Sequence, residues 1–173
     1  MTTKPITMSV VRCEKCGRRN RVPAAAEGVP RCGNCHAPLP WITDADDETF
    51  TDVAETSSVP VLVDLWAAWC GPCRMVSPAL EQVARDLAGR IKLVKVDVDN
   101  APRLAERFSV QAVPTLMVMN RGRVISRRAG AAPAAVLRKW VEETLESTAK
   151  AATSTAAATG APSGTESAPR AGG

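Results

Sequence analysis

All six cysteines of the chain fall in Cys-x-x-Cys pairs, at 13/16, 32/35 and 70/73. No other feature constrains the fold as much. Two thiols three positions apart either close a small redox-active ring or offer two ligands to one metal ion. The 173-residue chain is 45% hydrophobic, enough for a core that needs no disulfide staples. Met1 to Val11 lacks the apolar run of a secretory signal, and the longest apolar stretch, Val59 to Cys70, is broken by Asp64 and too short for a bilayer. A cytoplasmic protein without a membrane partner is therefore expected. In that compartment paired cysteines are metal ligands or catalytic dithiols more often than structural disulfides.

Cys13-x-x-Cys16, fifteen residues, then Cys32-x-x-Cys35 is the spacing of a zinc ribbon. Four thiolates, Cys13, Cys16, Cys32 and Cys35, would close a tetrahedral site around one structural zinc ion. Gly17 and Gly33 are expected to permit the tight turns. Residues 1–40 carry seven Lys/Arg against two Asp/Glu. Arg12, Lys15, Arg18 and Arg31 would offset the net negative charge of a four-thiolate zinc site, so this basic excess is read as solvating the metal before nucleic acid is invoked. Cys32-Gly33-Asn34-Cys35-His36 also spells a c-type haem attachment signature. Without an export signal, and with a second pair at ribbon spacing, zinc is preferred. Redox activity of these four thiols stays open as a third reading.

Three zones follow from composition: a Cys/Gly/Pro-rich basic segment (1–40), a patterned segment (41–147), and an Ala/Thr/Ser/Gly/Pro-rich tail (148–173) expected to be disordered because it has no large apolar residue to bury. In the middle zone a strand begins at Trp41 and Ile42, and Asp44 to Thr56 reads as a helix. Val61 to Ala67 is a nearly continuous apolar run, as in a buried central strand. Cys70 to Leu87 is an amphipathic helix interrupted by Pro78 and stopped near Gly89. Ile91 to Val98 is a second buried strand and Ala101 to Phe108 a short helix. Thr115 to Met119 and Arg123 to Arg128 form a hairpin through Asn120-Arg121-Gly122. Val136, Leu137, Trp140, Val141 and Leu145 mark a last helix. Right-handed crossovers followed by a hairpin give an α/β fold with a mixed central sheet flanked by helices on both faces.

The third pair differs from the other two in what surrounds it: a strand runs into Cys70 and a helix starts there. A helix N-terminus stabilises a thiolate, the nucleophile of disulfide exchange. Pro72 lies where a helix needs no N–H. Cys70 is expected to attack a substrate disulfide and Cys73 to resolve the mixed disulfide. Asp64 is a carboxylate in an apolar strand, so its pKa should rise or it should find a partner. It is a candidate proton acceptor for Cys73, with Lys95 on the next strand tuning it.

Trp66-Ala67-Ala68-Trp69-Cys70-Gly71-Pro72-Cys73 resembles the active-site segment of thioredoxins, and the likeness spans about residues 41–147. Val63-Asp64-Leu65-Trp66, Lys95-Val96-Asp97, Val113-Pro114-Thr115, Gly122 and Gly130 occur in the family's order. The resemblance implies a thioredoxin fold and a protein-disulfide reductase. Asp64 and Lys95 would assist the dithiol, and Pro114 would be cis beside it. Trp69, Gly71, Pro72, Val113, Pro114 and Gly130 would contact substrate, although Gly130 is equally well a turn residue and Trp66 equally well core. Ala68 and Leu65 depart from common family residues. A zinc ribbon ahead of such a domain is similar to the thioredoxin-2 subgroup. That implies a monomer recharged by thioredoxin reductase, with NADPH used only through that reductase and no bound organic cofactor, acting on oxidised proteins. The alternative is a redox-switched zinc-binding holdase or adaptor. The tail is not part of the subgroup's pattern.

Overall fold

The computed structural model describes residues 5 and 7–157. Near the N-terminus, β1 (Met8–Arg12) and β2 (Arg19–Pro23) form an antiparallel hairpin. A five-stranded sheet follows, built from β3 (Ile42–Asp44), β4 (Val61–Trp66), β5 (Lys92–Asp97), β6 (Thr115–Asn120) and β7 (Arg123–Ala129) in the order β3-β5-β4-β6-β7. β3 and β4 both run parallel to β5, whereas β6 is antiparallel to β4 and to β7. This is the expected mixed sheet. Its parallel strands are joined by crossovers through helices and its antiparallel pair by a tight hairpin.

The sheet is buried on both faces, which is why β4, β5 and β6 read as mostly apolar runs in which Asp64, Lys92 and Lys95 stand out. Val61, Val63 and Leu65 pack with Val94, Val96, Phe50, Val53 and Leu104 on one face. Leu62, Leu93, Leu116 and Val118 meet α1 (Gly71–Asp86) and α3 (Ala134–Ala157) on the other. α1 supplies Val76, Leu80, Val83 and Ala84 to that face, each at most 1% exposed. Emptying one such position, Leu80→Ala for example, typically costs about 2–5 kcal/mol. The short helix α2 (Pro102–Arg107) closes the first face with Leu104.

Two expectations fail locally. The helix anticipated over Asp44 to Thr56 is reduced to a π-helical turn at Thr51–Glu55. Asp44 stays in β3, paired in register with Lys95. Asp46 caps the turn that follows: its carboxylate accepts the backbone N–H groups of Glu48 and Thr49 and its carbonyl accepts that of Phe50, so helical backbone starts after Asp46 and not at Asp44. At the other end, α3 continues to Ala157, ten residues into the segment expected to be disordered. Alanine is the best helix former, and Thr148, Thr153 and Thr155 turn their hydroxyls back onto carbonyls one turn earlier. The expected helix breakers Gly160, Pro162, Gly164 and Pro169, and the rest of the anticipated tail from 158 on, lie outside the described residues.

The N-terminal segment packs onto the sheet domain. Gly89, with φ +86°, forms the turn after α1, and a Cβ there would come within 3.0 Å of Pro38. Ser58 Oγ donates to the Gly28 carbonyl at 3.4 Å. Between the two parts lies Lys92, 1% exposed. Its ammonium donates to the carbonyls of Ala24 and Val53 and sits 4.1 Å from the centroid of the Trp41 ring.

Candidate functional site

Two sites emerge. At the first, β4 delivers the chain to Cys70, the N-cap of α1, with Gly71 and Pro72 in the first helical turn. A disulfide joins Cys70 to Cys73. The Cys70 sulfur accepts the Cys73 backbone N–H at 3.2 Å, one of the donors a helix start leaves free. With Cys73 on the inner side of the helix, the sequence predicts it to be less exposed than Cys70. In the oxidised protein they are almost equally covered, 4% and 3% exposed, because the disulfide ring lies against Ala67, Trp66 and Val113. Exposure at the site comes instead from Gly71, Pro72 and Trp69.

Trp69 is 71% exposed and is held by its indole N–H donating to Asp99 at 3.0 Å. Trp66 has a buried indole nitrogen without a hydrogen-bond partner. The Val113-Pro114 bond is cis, and the Val113 carbonyl oxygen lies 3.5 Å from the Cys70 sulfur. Gly130, with φ +86° and open space where a Cβ would be, donates its N–H to the Pro114 carbonyl at 2.9 Å. Both readings of Gly130 therefore have a basis: the turn requires its φ, and nothing covers it. A cleft of about 310 Å³ beside Trp69 is walled by Val98, Asp99, Ala105, Val110 and Val113.

Asp64 is opposite Lys95 in the β4–β5 register. It is 1% exposed, and neither carboxylate oxygen has a hydrogen-bond partner. Burial pushes its pKa up to about 6, against a smaller downward pull from Lys95. The Lys95 ammonium is instead bonded to α1, at 2.6 Å from Ser77 Oγ and 3.3 Å from Glu81 Oε1.

At the second site, the sulfurs of Cys13, Cys16, Cys32 and Cys35 all lie within 4.8 Å of one another. Cys13 and Cys35 are 3.6 Å apart, and Cys16 and Cys32 are 3.5 Å apart. A tetrahedral ion with bonds of about 2.3 Å would set its sulfurs roughly 3.8 Å apart, so the set fits a thiolate-bound ion such as zinc. The two turns are backbone copies of each other: Gly17 N–H donates to Cys13 O at 2.8 Å and His36 N–H to Cys32 O at 3.0 Å. Left-handed backbone is used at Gly17 (φ +76°) and at His36 (φ +59°). Gly33 was expected to supply it in the second turn and does not; it follows the first cysteine of its pair, and the reversal follows the second. Backbone N–H groups of Cys35 and Asn34 lower the Cys32 pKa to about 6, favouring the thiolate. His36 contributes its backbone to the turn and is not a member of the sulfur cluster.

Sequence reasoning missed Lys92, Asp99, Ser77, Glu81 and Asn20. Asn20 takes the Gly33 N–H at 3.0 Å and offers its amide to Cys32 Sγ at 3.6 Å. Lys92 alone left a legible signal, a charge inside the apolar run Ile91 to Val98. Among the described residues no helix is long and apolar enough to cross a membrane.

Comparison with known proteins agrees with this geometry. The family model described as Thioredoxin matches residues 41–143. Thioredoxin C-3 of Corynebacterium nephridii is 38% identical over 141 residues, 79% of this chain and 96% of that relative. Thioredoxin 1 of Chlorobaculum tepidum is 46% identical over 94 residues, 54% of this chain and 93% of the relative. Thioredoxin 1 of a Nostoc strain is 42% identical over 99 residues, 57% and 92% respectively. With its dithiol at a helix head and a family match over most of its length, the chain belongs to the thioredoxin family of thiol–disulfide oxidoreductases.

Proposed function

We propose that the chain is a protein-disulfide reductase. The observation that carries this reading is the Cys70–Cys73 pair at the N-cap of α1, flanked by the Val113 carbonyl, with an unpartnered buried carboxylate, Asp64, on the strand that leads into it. In the reduced protein the Cys70 thiolate attacks one sulfur of a substrate disulfide. A mixed disulfide forms, the substrate S–S bond breaks, and one substrate thiolate departs and takes a proton. Cys73 gives its proton to the Asp64 carboxylate and attacks Cys70 Sγ, releasing the second substrate thiolate. Two electrons pass to the substrate and the chain ends as the disulfide. With a pKa of about 6, Asp64 is mostly ionised at neutral pH and free to accept that proton. Lys95 sets the field around it. Trp69, Gly71, Pro72, Val113, Pro114 and Gly130 form the surface on which an extended substrate segment lies, its backbone pairing at Val113.

Thioredoxin reductase, drawing electrons from NADPH, returns the disulfide to the dithiol. Cys13, Cys16, Cys32 and Cys35 hold one structural zinc ion in a closed site. The chain is read as a member of the zinc-ribbon thioredoxin-2 subgroup, with a ribbon over residues 1–40 and the thioredoxin domain from 41 onward. A relative matched over more residues than the thioredoxin domain alone contains supports this.

The test is coupled reduction of insulin disulfides with NADPH and thioredoxin reductase, with zinc quantified in parallel. NADPH consumption that depends on the chain is the expected result. Equal turnover by Cys70→Ser overturns the assignment of the nucleophile, and no turnover with any reductase overturns the reductase reading.

A further inference from the structure

Lys95 is placed to neutralise Asp64 and does not. The two residues face each other across β4 and β5, on the face that carries Leu62 and Leu93. A lysine stem is long and flexible enough to reach an adjacent carboxylate. Yet both Asp64 oxygens lack a hydrogen-bond partner, while the Lys95 ammonium is 2.6 Å from Ser77 Oγ and 3.3 Å from Glu81 Oε1. Ser77 and Glu81 are four positions apart, so they share a face of α1. Cys73, the resolving cysteine, lies four positions before Ser77 on that same face.

We propose that Ser77 and Glu81 are positioning residues that hold the Lys95 ammonium on α1, off the Asp64 carboxylate, and so keep that carboxylate a competent base. The inference rests on the reading of Asp64 as proton acceptor, and it names the device that sets its strength. A direct Asp64–Lys95 bond would stabilise the carboxylate and weaken it as a base. An unpartnered carboxylate binds a proton more readily. The remaining surroundings of Asp64 leave this pair in control. Leu116, its neighbour on β6, and Leu137 and Val141 of α3 carry no charge. Asp97, at the end of β5, is tied to Asp99 N–H at 3.0 Å and to the Asn100 amide at 2.7 Å. The charged groups on that face are Lys95 and Asp97 from β5, Glu81 from α1 and Asp44 from β3, which is exposed and lies across Lys95 from Asp64, with the Cys73 thiol as the group served.

The experiment is a carboxyl-carbon NMR titration of Asp64 in the full, reduced chain, for wild type, Ser77→Ala, Ser77→Thr and Glu81→Gln. Ser77→Ala changes no charge and replaces a helical residue by a better helix former, so it isolates positioning. Its Asp64 midpoint is expected to fall by roughly 1–3 pH units as Lys95 swings across. Ser77→Thr, which keeps the hydroxyl, is expected to stay near wild type, and Glu81→Gln to fall as well. A Ser77→Ala midpoint equal to wild type overturns the proposal, as does a fall in Ser77→Thr as large as that in Ser77→Ala. The acid limb of insulin reduction separates the two readings. If the Asp64 midpoint moves and the acid limb does not follow, the positioning role stands and Asp64 is not the base.

Discussion

The pair Cys70/Cys73 and the pair Cys32/Cys35 begin alike and end differently. In each, the first sulfur accepts a backbone N–H from just ahead, Cys73 N–H at 3.2 Å in one and Asn34 N–H at 3.5 Å in the other. The contrast lies in the residue after the second cysteine. Arg74 continues α1, so Cys73 is carried inward against the sheet domain. His36, like Gly17 after Cys16, takes left-handed backbone and turns the chain back on itself. That reversal points both sulfurs of a pair at one centre, where the second pair meets them. Cys-x-x-Cys therefore sets only how far apart two sulfurs can be. The backbone beyond it decides whether they face each other or a metal ion.

The largest expected effects test that division directly. Cys70→Ser should lower insulin reduction by several orders of magnitude, as removal of a nucleophile does, and leave bound zinc at one ion per chain. Cys32→Ser should do the reverse. A closed four-thiolate site contributes its binding free energy to the fold around it, about 10–16 kcal/mol in small zinc modules, so one missing ligand should empty it. Zinc per chain falls to near zero, while the insulin assay stays within about twofold of wild type because the dithiol has its own scaffold. Loss of turnover in Cys32→Ser comparable to that in Cys70→Ser would merge the two sites into one functional unit.

A smaller effect distinguishes the buried charges behind the two sites. Asp64 has a folded pKa of about 6 against a reference of 3.8. The native state therefore holds a proton that the unfolded state has lost, and stability falls as pH rises from about 4 through 6. Asp64→Asn removes that penalty. The gain should be about 2 kcal/mol at pH 8, after allowing ~1 kcal/mol for an unpaired buried amide, and should turn into a loss of about 1 kcal/mol well below pH 4, where the acid is neutral in both states and only the amide cost remains. Lys92, where the ribbon meets the sheet, behaves oppositely. Burial lowers its pKa to about 8 from 10.5, so its contribution makes stability rise with pH across that interval. Denaturant melts of wild type and Asp64→Asn between pH 4 and 9 check the first sign. Equal stability of the two proteins at pH 8 would mean that Asp64 finds a partner in solution.

The dithiol side of this comparison was the more legible in sequence. The apolar run of β4 and the spacing of Val76, Leu80, Val83 and Ala84 define a strand feeding a helix, and that alone places Cys70 at a helix head. Apolar periodicity reports burial against a core, which is why it works for these elements. It is silent where polar side chains decide. The carboxylate of Asp46 decides where the helical turn after β3 begins, and Ala/Thr stretches have no apolar face to announce the last ten residues of α3. Lys95 was readable as a neighbour of Asp64, but its attachment to Ser77 and Glu81 depends on how α1 lies across β5, which no local pattern encodes.

The second turn of the four-cysteine cluster is poorly legible for a related reason, and it supports the smallest prediction. The sequence offers Gly33 for that turn, whereas the left-handed position is 36 and is filled by histidine. A side chain in that conformation costs about 1–2 kcal/mol, somewhat less for histidine than for most residues. At Gly17 an added Cβ would meet the Arg12 guanidinium at 3.5 Å, an ordinary contact, so Gly17→Ala should cost about 1 kcal/mol from backbone conformation alone. His36→Gly should relieve strain, but added freedom of the unfolded chain offsets part of it. A net gain below about 1 kcal/mol is expected. Thermal melts of the zinc-loaded chain measure both, and competition with a chelator reports whether the metal follows. If His36→Gly loses zinc to the chelator more readily than Gly17→Ala does, the imidazole itself holds the second turn, and the two turns are alike in backbone only.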